Sequence, residues 1–143
     1  MSTITSANST FYLSVRDLFP IAQKMQGYAA DDAFTLAKTD MAETQMGVDG
    51  RMSAGWVPAI KQLTFRLQAD SPSVDVMDAL IAAQDIAREV YFLDAVITLP
   101  ATGKIYTLTK GVLKSAHAMP DAKKVLGPQE YELHFEQITA VPV

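Results

Sequence analysis

The run Gly47-Val48-Asp49-Gly50-Arg51-Met52-Ser53-Ala54-Gly55-Trp56-Val57-Pro58 leads into Ile60-Lys61-Gln62-Leu63-Thr64-Phe65-Arg66-Leu67-Gln68. Asp49-Gly50 lies between two β-prone segments, and a tight turn there needs a positive φ that glycine takes without strain. A hairpin is therefore expected, with arms at residues 40–46 and 51–58. The strand after it alternates, with Leu63, Phe65, Leu67 and Ala69 on one face and Thr64, Arg66, Gln68 and Asp70 on the other. The arms carry Met41, Met46, Met52 and Trp56, although the rest of the chain holds enough apolar material for a core. Apolar surface left over in this way marks a binding face, and the expected occupant is another copy of the chain.

Working outward, Phe11, Leu13 and Val15 alternate with Tyr12, Ser14 and Arg16 as in a half-buried strand, and Pro20 ends it or puts the next segment on an edge. A turn at Gly27 and Asp31-Asp32 precedes a strand at 33–39. After the hairpin and its following strand, Ser71 or Ser73 can cap a helix that tolerates Pro72 in its first turn and gains from Asp75 and Asp78 at its positive end. Projected at the helical period, residues 74–91 bring Val74, Met77, Leu80, Ile81, Ala87 and Tyr91 to one face. Asp75, Asp78, Asp85 and Glu89 form an acidic ridge opposite, which ordinarily serves to solubilise a helix. Strands at 93–99 and 104–115 form a second hairpin, bulged near Gly111, and 129–138 closes the chain with Tyr131, Leu133 and Phe135 inward. The expected fold is mainly β (α+β): one domain over residues 1–143, an antiparallel β-sandwich or barrel with one α-helix packed against it.

At 143 residues and 49% hydrophobic content the chain can build one core. A net charge of −4, with no basic cluster beyond Lys123-Lys124, disfavours a dedicated nucleic-acid binder. Cysteine is absent, which excludes disulfides and thiolate metal sites. The polar N-terminus has no secretory pattern, and no apolar window approaches the ~20 residues that cross a bilayer, so cytoplasmic synthesis and no membrane partner are expected.

The sequence lacks Gly-x-x-x-x-Gly-Lys-Ser/Thr, Gly-x-Gly-x-x-Gly, Gly-x-Ser-x-Gly and His-Glu-x-x-His. His134 lies mid-strand between glutamates, where a cross-strand partner is the ordinary role, and His117 reads as a strand-end or loop residue. No catalytic, cofactor-binding or metal residue is expected, and the chain reads as no enzyme.

Asp49-Gly50, the strand Leu63-Thr-Phe65-Arg-Leu67, the cap Ser71-Pro72-Ser73 and the helix centre Asp78-Ala79-Leu80-Ile81 follow one another in an order that resembles the tail tube proteins of contractile-tailed bacteriophages. The later strands, the Gly103-Lys104 turn and the aromatic closing strand extend the likeness to roughly residues 10–138. The resemblance implies hexameric rings stacked into the inner tube of a virion tail, assembled in the bacterial host cytoplasm and surrounded by a contractile sheath. It implies baseplate and tail terminator proteins as further partners, and DNA passing through the lumen without specific binding. Met46, Asp49, Gly50, Arg51, Met52 and Trp56 are then the expected inter-ring or inter-subunit hairpin, which the polar N-terminus would join. Asp75, Asp78, Asp85 and Glu89 become the expected sheath-facing ridge. The polar sets 64/66/68 and 130/132/134/136 are two candidate bore linings. A tailocin or type VI secretion tube, a tail terminator and a small monomeric β-barrel binding module are the alternatives.

Overall fold

A computed structural model describes residues 9–16, 18–25, 34–117, 119–120, 122 and 124–142. The expected turn at Gly27 and Asp31-Asp32, the N-terminal segment 1–8 and Lys123 of the basic pair lie outside these residues. The elements are β1 (Thr10–Val15), β2 (Phe19–Lys24), β3 (Phe34–Leu36), β4 (Ala42–Met46), β5 (Met52–Trp56), β6 (Lys61–Leu67), α1 (Ser73–Ala87), β7 (Leu93–Leu99), β8 (Lys104–Ala116) and β9 (Gln129–Pro142). Among the described residues an antiparallel seven-stranded sheet runs in the order β2-β1-β7-β8-β9-β6-β3, while β4 and β5 pair only with each other.

Period-two alternation decides which side of the sheet is buried. Phe11, Leu13 and Val15 of β1, Leu63, Phe65 and Leu67 of β6, Leu93, Ala95 and Ile97 of β7, and Tyr131, Leu133 and Phe135 of β9 are buried in one cluster. Across a flat sheet β1 and β6 would stand about 19 Å apart, four strand spacings. Yet the rings of Phe11 and Phe65 lie 5.1 Å apart and those of Phe11 and Phe34 6.2 Å apart. The sheet therefore rolls over on its apolar side, which is the barrel-like form expected of these strands.

The helix adds Val74, Met77 and Leu80 to the same cluster. Its start is capped one residue early: Ser71 Oγ accepts the Ser73 N–H at 3.2 Å, and Pro72 stands at the N-cap. Its end departs from the sequence expectation. Arg88 turns to φ 55 and donates its N–H to the Gln84 carbonyl at 2.7 Å, and the Gln84 side chain takes the Tyr91 N–H at 3.2 Å. The helix thus stops at Ala87 instead of reaching 91. Ala87 is exposed, Tyr91 packs against the core from outside the helix, and Glu89 lies beyond the ridge to which it was assigned.

The bulge expected near Gly111 is present. The β7–β8 register passes from Leu93↔Gly111 to Ala95↔Leu108, so β8 carries one extra residue there. Lys110 takes the left-handed conformation at φ 52, and its N–H donates to Asp94 Oδ1 at 3.0 Å. A second irregularity follows between Leu113 and Ser115. Beyond Phe135, β9 has left β6 behind: residues 136–142 pair with β8 alone, so their other edge has no strand partner among the described residues.

Tyr131 stacks on Phe65 at 5.3 Å, and its hydroxyl finds no hydrogen-bond partner among the described residues. Burial, helped by the negative charge of Asp78, pushes its pKa from 10.0 up to about 12. Below pH 10 the phenol is neutral in both states. Above it the unfolded chain ionises first, so stability is expected to fall by about 2–3 kcal/mol as pH rises through that window. Tyr131→Phe should remove this alkaline loss and be neutral or stabilising at pH 7, where it relieves an unpaired hydroxyl. Urea midpoints of the two proteins at pH 8 and pH 11 check both signs.

Candidate assembly surfaces

The hairpin β4–β5 is amphipathic by register. Ala42 faces Trp56, Thr44 faces Ala54 and Met46 faces Met52 on one side, while Glu43 opposite Gly55 and Gln45 opposite Ser53 make the other side polar. Its turn is closed by Gly47 N–H to Arg51 O at 2.8 Å and Gly50 N–H to Gly47 O at 3.0 Å, with Asp49 Oδ1 accepting the Arg51 N–H at 3.2 Å. Gly50 alone in this loop has a positive φ, at 85°. That is a three-residue connection ending in a left-handed glycine rather than the shortest Asp-Gly turn. All residues of both strands are exposed, with Met46 at 69%, Met52 at 64% and Trp56 at 78%. The sequence-predicted hairpin residues are therefore placed together on one arm whose apolar side is left exposed among the described residues.

On α1, Asp75, Asp78 and Asp85 are exposed. They fall on one side at 100° per residue, so three of the four expected ridge residues share a helical face. Glu89, past the left-handed Arg88, does not.

The two candidate bore linings prove to be one surface. Strands β6 and β9 are neighbours with Gln62↔His134, Thr64↔Glu132 and Arg66↔Glu130 in register, so the polar sides of both strands form a single face, with Gln68 just past the end of β6. Arg66 meets Glu130 at 3.0 Å, and Glu132 receives Ser115 Oγ and His134 Nε2, each at 3.0 Å. The His134 hydrogen bond, followed by that of Ser115, holds the Glu132 carboxyl below its usual range. His134 was expected as an exposed cross-strand partner. Its bond instead runs along its own strand to Glu132, and its side chain is largely covered. His117 follows β8 and clasps β9, donating its N–H to the Glu130 carbonyl at 3.0 Å and accepting the Glu130 N–H at its ring Nδ1 at 3.3 Å. Elsewhere on the sheet's outer side Arg16 pairs with Asp94 and Lys110 with Glu136, both at 3.4 Å.

Sequence reasoning missed a groove of about 1000 Å³ at the root of the hairpin, lined by Trp56, Ile60, Phe92, Val112, His134 and Gln137 among others. Lys110 and Arg16 stand over the Phe92 ring at 5.7 and 6.0 Å. The available signal was Ile60 and Phe92, apolar residues just outside strands whose buried sets were already complete. Among the described residues no group of three His, Asp or Glu side chains could hold a metal, and no helix is long and apolar enough to cross a membrane.

Known structures define the class of this fold. The chain superposes on the anti-feeding prophage tube-terminating cap with TM-score 0.67 at 12% identity, covering 100% of this chain and 93% of that one. It superposes on the sheath/tube terminator of the extracellular contractile injection system PVC at 0.65, with 13% identity and 92% of each chain covered. A chain of the PVC sheath–tube complex gives 0.62 at 14% identity, covering 93% of this chain and 88% of that one. At these identities the likeness is one of fold: mostly antiparallel β with a single helix, as in contractile-system tube and cap proteins. A family model described as tail fiber protein gp32 matches residues 2–139, and the chain belongs to that family. No curated protein shows a significant sequence match to it.

Proposed function

We propose that this chain is a structural subunit of the inner tube of a contractile phage tail, forming hexameric rings that stack around a bore through which the genome passes. The observation that carries the reading is the amphipathic hairpin, fully exposed on a fold of the tube-and-cap class. Family membership in a group described by a tail component supports a place in the virion tail; assembly in the host cytoplasm is part of the proposal. The polar face of β6 and β9 is the proposed bore lining. Its Arg66 is matched by Glu130, so the surface offers a phosphate backbone no unpaired arginine to grip. The role is architectural, without catalysis, and baseplate and terminator proteins are its partners at the tube ends.

Negative-stain images and sedimentation of the purified protein test this. Rings or tubes with six-fold symmetry are expected, and a strictly monomeric protein at every concentration would overturn the reading. A second reading, a terminator capping the tube with one ring, is favoured by the likeness to a cap and a terminator. The same images separate the two, since a terminator gives single rings and no stacks. Tailocin and secretion tubes share the architecture, and the genes beside this one distinguish them.

The helix ridge is the proposed sheath contact, because charge complementarity gives a fast, salt-sensitive and releasable attachment. Replacing Asp75, Asp78 and Asp85 with Asn should leave tubes intact and weaken sheath binding roughly tenfold or more at low salt. Cosedimentation of sheath protein with wild-type and variant tubes measures the difference. Equal binding would remove the ridge from the interface.

A further inference from the structure

The chain carries two unpartnered apolar surfaces of different shape. One is the projecting side of the hairpin, where Met46 and Met52 stand opposite each other near the tip. The other is the concave groove at the hairpin's root, where Ile60 and Trp56 are exposed beside Phe92 and Val112. A molecule's own tip cannot reach the groove from which its arm departs, because the arm is a paired ladder that holds tip and root apart by the length of the strands. Among the described residues nothing covers either surface, and a second copy of the chain supplies both the projection and the concavity.

We infer that these surfaces fit each other between copies: the Met46/Met52 side of one hairpin lies in the Trp56, Ile60, Phe92 and Val112 groove of the next copy. This rests on the self-assembly proposed above and names the receiving surface, which that reading leaves open. Shape matches a projection to a concavity, and flexible methionines adapt to an imperfect apolar wall. The balance of charge agrees in sign: the groove rim carries Lys61 and Lys110 against Glu136, which pairs with Lys110 at 3.4 Å, while the hairpin carries Glu43 and Asp49 against Arg51. Main-chain groups add a further match, since Glu136 and Gln137 on the groove rim begin the unpaired edge of β9 and the outer edges of β4 and β5 are also unpaired among the described residues. A contact between two different patches of the same chain is head-to-tail, so it repeats from copy to copy and closes into a ring when the rotation permits.

The absence of cysteine gives a clean test. Met52→Cys and Ile60→Cys are made in separate full-length chains, both at exposed positions. Each is oxidised alone and then in an equimolar mixture, with wild-type assembly followed in parallel by electron microscopy. A disulfide-linked dimer in the mixture, with neither variant cross-linking alone, supports the head-to-tail seat. Cross-linking of Met52→Cys with itself overturns it in favour of a symmetric tip-to-tip contact. Normal rings or tubes with no mixed cross-link also overturn it while leaving the tube reading standing, whereas absence of any assembly in the wild type removes both.

Discussion

Met46→Asp combined with Met52→Asp is expected to abolish assembly while leaving the subunit folded. Both side chains lie on the exposed side of a hairpin that pairs with no other strand among the described residues, and neither belongs to the hydrophobic cluster of the body. Thermal unfolding of the body should therefore change little. In a subunit contact the same positions lose the burial of two methionines, worth about 1.5–3 kcal/mol each, and acquire carboxylates that resist desolvation. Every 1.4 kcal/mol is about a factor of ten in association, so a loss of roughly a hundred- to ten-thousand-fold follows from the apolar term alone. Two aspartates directly opposite each other also repel across the ladder and loosen the arm, which acts in the same direction. Met46→Leu with Met52→Leu keeps the apolar side and should still assemble. Sedimentation velocity across a concentration series, paired with circular dichroism melts, gives both readouts. Tubes that persist in the aspartate variant would show that the arm is not the adhesive element.

Much of the architecture is legible in the sequence because burial follows a simple period. The sets 11/13/15, 63/65/67 and 131/133/135 alternate strictly, and each is buried as that alternation requires. The hairpin is legible for a different reason: Asp49-Gly50 is a local signal, and local signals survive without knowledge of the partner strand. Long-range pairing leaves no such mark. Nothing in the run 129–138 announces that it lies beside 61–67, and only that adjacency merges two polar faces into one. The helix end is hidden because Arg88 occupies a left-handed position where glycine or asparagine is the usual marker. The acidic stripe consequently extends on paper to Glu89, which the backbone does not carry along. The groove leaves only the surplus apolar residues Ile60 and Phe92 as a trace in the sequence, since it is assembled from the hairpin root, the β8 bulge and the segment before β7.

Gly111 marks the bulge in the sequence, yet the structure needs it for another reason, and replacing it with alanine is expected to be strongly destabilising. The left-handed residue is Lys110, its neighbour, so Gly111 is not required for its φ. What it supplies is room. Gly111 faces Phe135 in the β8–β9 ladder, and a Cβ at this position would run into the Phe135 ring. Phe135 is 1% exposed within the core, so the ring can yield only by disturbing the side chains packed around it. Overpacking of this kind costs about 1–3 kcal/mol, which lowers the melting midpoint by roughly 4–10 °C for a chain of this size. The sign is itself informative. A glycine-to-alanine change in an unstrained strand normally stabilises by reducing the entropy of the unfolded chain, so a loss identifies the steric term. Phe135→Leu shortens the obstacle, and although it is destabilising alone through the cavity it leaves, the double variant should lose less than the sum of the two single changes. A double-mutant cycle by urea denaturation measures that coupling. Additive losses would mean that the ring does not set the requirement for glycine, and the close approach of β8 to β9 at this point would need another cause.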